Sequence, residues 1–562
     1  MSKDLNKTLR IATILLAQGV LIFGFFQGHS IWTVAAFIGF LAAFFVLNHF
    51  NTKMVKQQKI AQARAILQGR NADRKSGEWV KFEQDGAEYV DANHPYSRDL
   101  DLFGEASLFQ YLNETNTEYG KEILKVLFLT EKRDEAAVLR RQAAIKEISE
   151  NSAFCEGLKI KGLMSENISL SPAAMVEFFE SEDKLFASAT LRFAVRILPF
   201  ITALLVASNF IVGLNNALLI FSGLAMVLQV MVFATLANKT EAILKEIGKF
   251  RGSLDDFGEM AAIIREADFK AELNKTWQEK LPAKWNLKRI SLALRARNIT
   301  LLDLLLNIVA LWDIHCVCVL EDLRAKGAKD MRVRLETIGY FEAMASVAVL
   351  PQQNPDWVYP EICAELALTA KNLGHPLIEE FDRVANDFDL KGIGIISGSN
   401  MSGKTTFLRT VGINLVLAYM GAPVCAAAFK APAVAIWTCM RPPDNLKQNI
   451  STFYAELLRI KNIIDNENPM LFLIDEIFAG TNSEDRVTGA KAVLQNLHKK
   501  QNLGLITTHD LEVCKTESFA NHHFSEHYVD NEIRFDFKIK PGISTTRNAK
   551  FLMKMIGIDI KE

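Results

Sequence analysis

Four apolar runs dominate the pattern of hydrophobic and polar positions along this chain. Residues 11–26 (IATILLAQGVLIFGFF) and 31–50 (IWTVAAFIGFLAAFFVLNHF) form one pair, and residues 197–214 and 217–237 form a second. Each run holds about 16 to 21 residues, near the ~20 that a helix needs to cross the hydrocarbon of a bilayer. The connecting turns, residues 27–30 and Asn215-Asn216, are short, so each pair predicts a transmembrane helical hairpin. A cleaved leader is disfavoured for the first run, because Phe25-Phe26-Gln27-Gly28 offers no small-x-small site and a second run follows at once. Buried core helices are the alternative for the second pair. Lys3, Lys7 and Arg10 precede the first run, and Lys53, Lys56 and Lys59 follow the second. Lys184, Arg192 and Arg196 precede the third, and Lys239, Lys245, Lys249 and Arg251 follow the fourth. Neither tip carries Lys or Arg. The positive-inside rule then predicts a multi-pass protein of the inner (cytoplasmic) membrane, with both termini in the cytoplasm. Residues 299–320 are also apolar, but Asp303, Asn307, Asp313 and His315 interrupt them. They predict one long core helix, with Leu301, Leu304, Leu305 and Val309 on one face, rather than a fifth span.

The remaining pattern divides the chain. A first hairpin occupies 1–51, and a juxtamembrane helix and linker occupy 52–96, with 71–95 reading as irregular or β. Apolar positions at a 3.6-residue period predict helical cores over 97–192 and 239–350, on either side of the second hairpin at 193–238. From 351 to 562 the texture becomes short β-branched runs, Gly turns and intervening helices, which predicts an α/β domain. Residues 392–397, 470–474 and 504–508 read as buried strands.

Composition changes this picture little. Of 562 residues, 49% are hydrophobic and 23% charged, which excludes a disordered or fibrous chain. Mean hydropathy is +0.10, high for a soluble protein of this size and in keeping with segments in lipid. Lys+Arg is 64 against Asp+Glu 65, so the net charge of −1 announces no nucleic-acid partner, although a local basic face stays open. Seven scattered cysteines, without paired metal spacing, predict a reducing compartment with no disulfide frame and no zinc site.

Candidate chemistry lies in the α/β part. Gly398-Ser399-Asn400-Met401-Ser402-Gly403-Lys404-Thr405 fits G-x-x-x-x-G-K-[ST] between a strand and a helix ending at Gly421. In that setting backbone N–H groups wrap the phosphates of ATP, Lys404 reaches the β/γ oxygens and Thr405 offers a hydroxyl to Mg²⁺. Some 70 residues on, the apolar run 471–474 ends in Asp475-Glu476. Asp475 would hold Mg²⁺ through water, and Glu476 would act as general base on the attacking water. His509, at the end of the 504–508 strand, could sense the γ-phosphate.

These residues resemble the ATPase domain of the MutS family, part of the ABC ATPase superfamily. The likeness lies in GSNMSGKTT at 398–406, Ser451-Thr452-Phe453 with Glu456, DEIFAGTN at 475–482, Thr508-His509, His375-Pro376-Leu377 and YMGAPVCA at 419–426. Leu139-Arg140-Arg141-Gln142 resembles part of the family's helical core, and Trp357-Val358-Tyr359-Pro360-Glu361 the segment leading from core to ATPase. The resemblance implies an α/β P-loop (ABC-type) ATPase domain at the C-terminus, preceded by an all-α helical core. It places Thr406 in the nucleotide loop, Ser451 across a homodimer against the partner's γ-phosphate, and Asn386 near the nucleotide. The base-stacking position falls at Arg383 or Val384. Asn449 stands where the family has Gly before the signature serine. Where the family carries N-terminal mismatch-reading and connector domains, this sequence is expected to hold two spans and a short linker, and hence to be a variant lacking the mismatch-recognition domain.

The leading expectation is a membrane-anchored, MutS-like ATPase that hydrolyses ATP as a dimer and is coupled to DNA binding. An ABC-like ATPase energising a membrane process without DNA, and a non-catalytic ATP-switched scaffold, are the alternatives.

Overall fold

The computed structural model describes residues 3–544 apart from 28–30, 131–133, 166–171, 182–183, 187, 212–214, 282–299, 400, 442–451, 479–482, 517 and 530–531. The chain divides into two compact units, Met1–Asn71 and Ala72–Glu562. The first holds helix α1 (Lys3–Gln27) and most of α2 (Ile31–Lys75). Arg10 lies over the Phe44 ring at 5.9 Å, and Thr13, Ala17, Phe37 and Phe40 share an apolar crevice between these helices. The juxtamembrane helix expected over 52–70 is not a separate element. No proline stops α2 after its apolar run, so it continues to Lys75.

The second unit opens with two short 3₁₀ turns, Glu78–Lys81 and Ala87–Tyr89, each entered through a left-handed glycine, Gly77 and Gly86. Beyond the end of α2 at Lys75, the segment up to 95 is thus irregular, with no strand. The Gln110 amide holds it by donating to Val80 O at 3.0 Å and Phe82 O at 2.7 Å. A helical array follows: α3 (Leu108–Leu112), α4 (Glu118–Phe128), α5 (Glu135–Glu150), α6 (Ser152–Met164), α7 (Pro172–Glu180), α8 (Ala189–Ile211), α9 (Asn216–Lys249), α10 (Arg251–Glu266), α11 (Glu272–Glu279), α12 (Thr300–Ala310), α13 (Trp312–Val347) and α14 (Val349–Gln353). Ser107, Thr117 and Asn151 start α3, α4 and α6 by accepting backbone N–H groups that a helix start leaves unpaired. Helix α13 is the spine, packed on α4, α7, α9 and α10, with Phe341 stacked on Phe269 at 4.9 Å. The single long helix expected over 299–320 is split. Leu311 adopts a left-handed φ of 49°, which ends α12 and starts α13.

Helices α8 and α9 pack along each other, and the Asn215 side chain caps α9 at Ala217 N–H. Among the described residues, three helical stretches are long and apolar enough to cross a membrane: Ala35–Lys75, Ala189–Asn209 and Asn216–Lys249. The described apolar stretch of α1, Thr8–Val20, is shorter.

The C-terminal domain is α/β, with two sheets among the described residues. Strands β1 (Glu361–Cys363), β2 (Ala367–Leu373), β3 (Asn386–Lys391) and β5 (Ala428–Pro432) form one, in the order β1-β5-β2-β3. The other takes β4 (Ile393–Ser397), β6 (Ala435–Cys439), β7 (Met470–Ile474), β8 (Leu503–Thr508), β9 (Ala520–Val529) and β10 (Glu532–Pro541), in the order β10-β9-β4-β8-β7-β6. All its pairings are parallel except the edge pair of β9 with β10. Strands β4, β7 and β8 are buried at every position, as strands covered on both faces must be. Helix α15 (Lys404–Met420) follows β4 and ends at left-handed Gly421. Helices α16 (Thr452–Asp465), α17 (Ser483–His498) and α18 (Leu511–Cys514) complete the domain.

Polar bolts join the helical array to this domain. Arg141 donates to Tyr419 O at 2.6 and 3.0 Å, and the Gln142 amide donates to Pro360 O at 2.9 Å. Both residues lie in the 139–142 segment singled out in the sequence.

Candidate nucleotide site

In a mostly parallel sheet, ligands bind beyond the carboxyl ends of the strands. The neighbouring strands β4, β8 and β7 end there in the 398–403 loop, Thr508-His509 and Asp475-Glu476. The loop turns sharply through Gly398 (φ 152°), Met401 (66°) and Gly403 (100°), which caps α15. A Cβ at Gly398 would stand 2.9 Å from Phe524 O, and one at Gly403 3.1 Å from the Phe537 ring. Only glycine permits this cradle.

Lys404 folds back across the loop, donating to Gly398 O at 3.1 Å and Ser399 O at 2.8 Å. Burial pushes its ammonium below the usual lysine range, against the pull of Glu476, Asp475 and Glu526. The Thr405 hydroxyl donates to Asp475 Oδ2 at 2.6 Å, and Thr507 Oγ1 donates to the other carboxylate oxygen. The residue pair expected to serve a metal is therefore already in contact. Glu476 sits at a left-handed φ of 52°, its N–H bonded to Thr507 Oγ1 at 3.0 Å. Its Oε1 lies 2.6 Å from His509 Nε2, and this bond holds the carboxyl below the usual carboxylate range. Lys404 Nζ is 3.4 Å from the same ring nitrogen. Lys404, Glu476 and His509 thus converge.

Beside the loop lies a cavity of about 260 Å³, lined among others by Val384, Asn386, Gly403, Thr406 and Phe537. The Asn386 side chain is occupied: Nδ2 donates to Phe537 O at 3.1 Å, and Oδ1 accepts from Ile539 N–H at 2.9 Å. It positions strand β10. Arg383 also borders the cavity, but its guanidinium donates to Ile378 O at 2.7 and 3.0 Å and to Cys425 Sγ, and lies over the Trp357 ring at 5.6 Å. These contacts hold the Arg383 guanidinium in place, with the Trp357 ring on one side. His375, on the same wall, is kept neutral by burial and by Arg409 and Arg383, its pKa lowered to about 4.

Sequence reading missed Phe537. The β9–β10 register shifts between Phe535 and Ile539, and this bulge puts Phe537 at a left-handed φ of 51° with its ring in the cavity wall. A lone Phe in an alternating strand gives no such signal. It also missed Thr507, which holds both carboxylate residues, and Glu526, which accepts the Ser399 hydroxyl at 2.9 Å. Glu456 accepts Phe478 N–H at 2.6 Å, tying α16 to the segment after Asp475. Asn400, Ser451 and residues 479–482 of the DEIFAGTN motif lie outside the described residues.

Residues 394–558 match the family model for MutS domain V. The chain is 32% identical over 233 residues to the DNA mismatch repair protein MutS of Aquifex pyrophilus, which covers 39% of this chain and 27% of that protein. It is 33% identical over 212 residues to MutS protein homolog 4 of Mus musculus, covering 34% and 22%. With MutS of Methanococcoides burtonii it shares 28% over 253 residues, covering 42% and 28%. The chain thus spans less than a third of the length of these relatives. The domain that carries the phosphate loop and the Asp475-Glu476 pair is similar to domain V of MutS.

Proposed function

We propose that this chain is a membrane-anchored, MutS-like ATPase that works as a homodimer. The observation that carries the reading is the contact of Thr405 with Asp475 beneath a glycine cradle, with Lys404, Glu476 and His509 converging beside it. The donor set fits Mg-ATP. Thr405 and Asp475 offer oxygen ligands of the kind Mg²⁺ takes, and the metal would supply charge neutralisation between the β- and γ-phosphates.

This chain's own groups do the rest. Backbone N–H groups of the loop and the N-terminus of α15 receive the phosphates. Lys404 exchanges its two carbonyl partners for phosphate oxygens. Glu476 stays ionised at neutral pH, because its carboxyl is held low, and so can accept a proton from water. His509, bonded to Glu476, fixes the orientation of that carboxylate. The Phe537 ring offers a face to the adenine.

The apolar lengths of α2, α8 and α9, with Lys and Arg only at their flanking ends, support anchoring in the cytoplasmic membrane. Dimerisation and a trans role for Ser451 follow from the likeness to domain V. So does coupling to DNA, since relatives are named for DNA mismatch repair. The exposed apolar faces of α8 and α9 favour the second reading, an ATPase that drives a membrane process without DNA. The deciding experiment measures ATP turnover and duplex binding by the detergent-solubilised protein across salt concentrations. Turnover lost in Lys404→Ala together with salt-dependent duplex binding supports the first reading. Turnover without duplex binding supports the second. No turnover sinks both.

A further inference from the structure

Gln229 interrupts the apolar run of α9 and is 1% exposed. Its amide donates to Ile308 O at 2.6 Å and Val309 O at 2.8 Å. These carbonyls belong to the last turn of α12, where a helix leaves them without partners of its own. Gln229 Oε1 is buried with no hydrogen-bond partner among the described residues, so the amide N–H groups alone make this contact. Further groups at the break bond within the protein. Asn307, likewise 1% exposed, donates to Asp303 O at 3.1 Å and accepts Asp313 N–H at 2.9 Å. Leu311 N–H donates to Asn307 O, and the His315 ring lies 3.0 Å from Leu311 O. Asn307 and Asp313, two of the four residues that argued against a span at 299–320, are therefore buried in the protein. Leu304 and Val309, by contrast, are 50% and 61% exposed, on the same element as the buried Asn307.

Two lengths fix the depth. At 1.5 Å per residue, Gln229 lies about 12 Å before the end of the apolar run at Ala237. Along α13, Asp322 lies about 15 Å beyond Trp312. Asp322 pairs with both Arg192 and Arg196, and Arg192 also pairs with Glu321 at 2.8 Å. These arginines stand at the entry of α8 into its apolar stretch. The α12–α13 break thus sits one such distance inside the charged edge, by two independent routes.

On the reading that α8 and α9 cross the bilayer, we infer that α12 and the first turns of α13 are a re-entrant element embedded beside them. Acyl chains are the partner of the Leu304 and Val309 face, and Gln229 is the anchor. Backbone is tolerated at that depth only when its polar groups are met by protein, which is what Gln229 and Asn307 provide.

A photoactivatable benzoylphenylalanine placed singly at Leu304, Val309, Leu224 of α9 or Leu366 of the C-terminal domain, in the full chain in native membranes, tests this. Lipid adducts are expected at 304, 309 and 224 and not at 366. Lipid adducts at 224 with none at 304 and 309, or adducts there to protein instead, overturn the inference and leave the spans standing. No lipid adduct at 224 overturns the spans themselves. Gln229→Leu, with ATP turnover as the check on folding, should lose the adducts at 309. Unchanged yield there refutes the anchor.

Discussion

Replacing Phe537 with Ala tests where the base of the nucleotide sits. The ring is 43% exposed on the wall of the cavity beside the phosphate loop. Removing it therefore costs the fold little buried area. The Phe537 carbonyl, which accepts from Asn386, survives the substitution, so β10 keeps its place. What is lost is an aromatic face. Stacking of a base on such a face contributes about 1–3 kcal/mol by alanine substitution. With a factor of ten for each ~1.4 kcal/mol, the Kd for ATP should rise roughly 5- to 150-fold. Turnover at saturating ATP should hold near the wild-type rate, since Glu476, His509 and Lys404 are untouched. The assay is nucleotide binding by fluorescence together with steady-state hydrolysis, run in parallel with inorganic triphosphate. The triphosphate has no base and should bind both proteins alike, and Phe537→Tyr should restore ATP binding. An unchanged Kd for ATP, or an equal loss for triphosphate, refutes the assignment.

Glu476→Gln should keep ATP and lose about 10²- to 10⁴-fold in turnover, because the cradle is intact and only the proton acceptor is gone; wild-type turnover would falsify the choice of base. Mixing Ser451→Ala protomers with Lys404→Ala protomers should leave one intact composite site per mixed dimer, read as recovery of about half the activity; hydrolysis by isolated monomers refutes it. Cysteines introduced at Asn215 or Asn216 should react in intact cells with a probe that cannot cross the membrane, whereas labelling only after lysis would make α8 and α9 a cytoplasmic pair. Glu342 is fully buried, and burial raises its carboxyl to about 7 against the bonds it accepts from Thr117 and Asn116. The native state then holds a proton that the unfolded chain releases near 4.5, so this residue's contribution to stability falls as pH rises between those values, by on the order of 3 kcal/mol. Thermal midpoints at pH 5 and 7.5 should differ more for the wild type than for Glu342→Gln, and equal differences would refute the raised pKa.

Much of this was legible in the sequence because it depends on local rules. The phosphate loop needs glycines at fixed places and a lysine at the head of a helix, so its eight residues announce it wherever they stand. Strands 392–397, 470–474 and 504–508 could be read because burial on both faces demands unbroken apolar runs. The apolar lengths of α2, α8 and α9 followed from counting, and the helix end at Gly421 from its left-handed cap. Tertiary structure alone decided which distant groups meet. Thr405 and Asp475 are 70 residues apart, and only the adjacency of β4, β8 and β7 brings them to 2.6 Å. The aromatic wall of the cavity comes from a bulge near the end of the described chain, and a register shift leaves no mark in composition. Asp303, Asn307 and Asp313 counted against membrane burial as single residues. Folded, Asn307 meets its bonds within its own segment and the Gln229 amide N–H groups serve the backbone at the end of α12, so these side chains are spent on protein groups rather than on water.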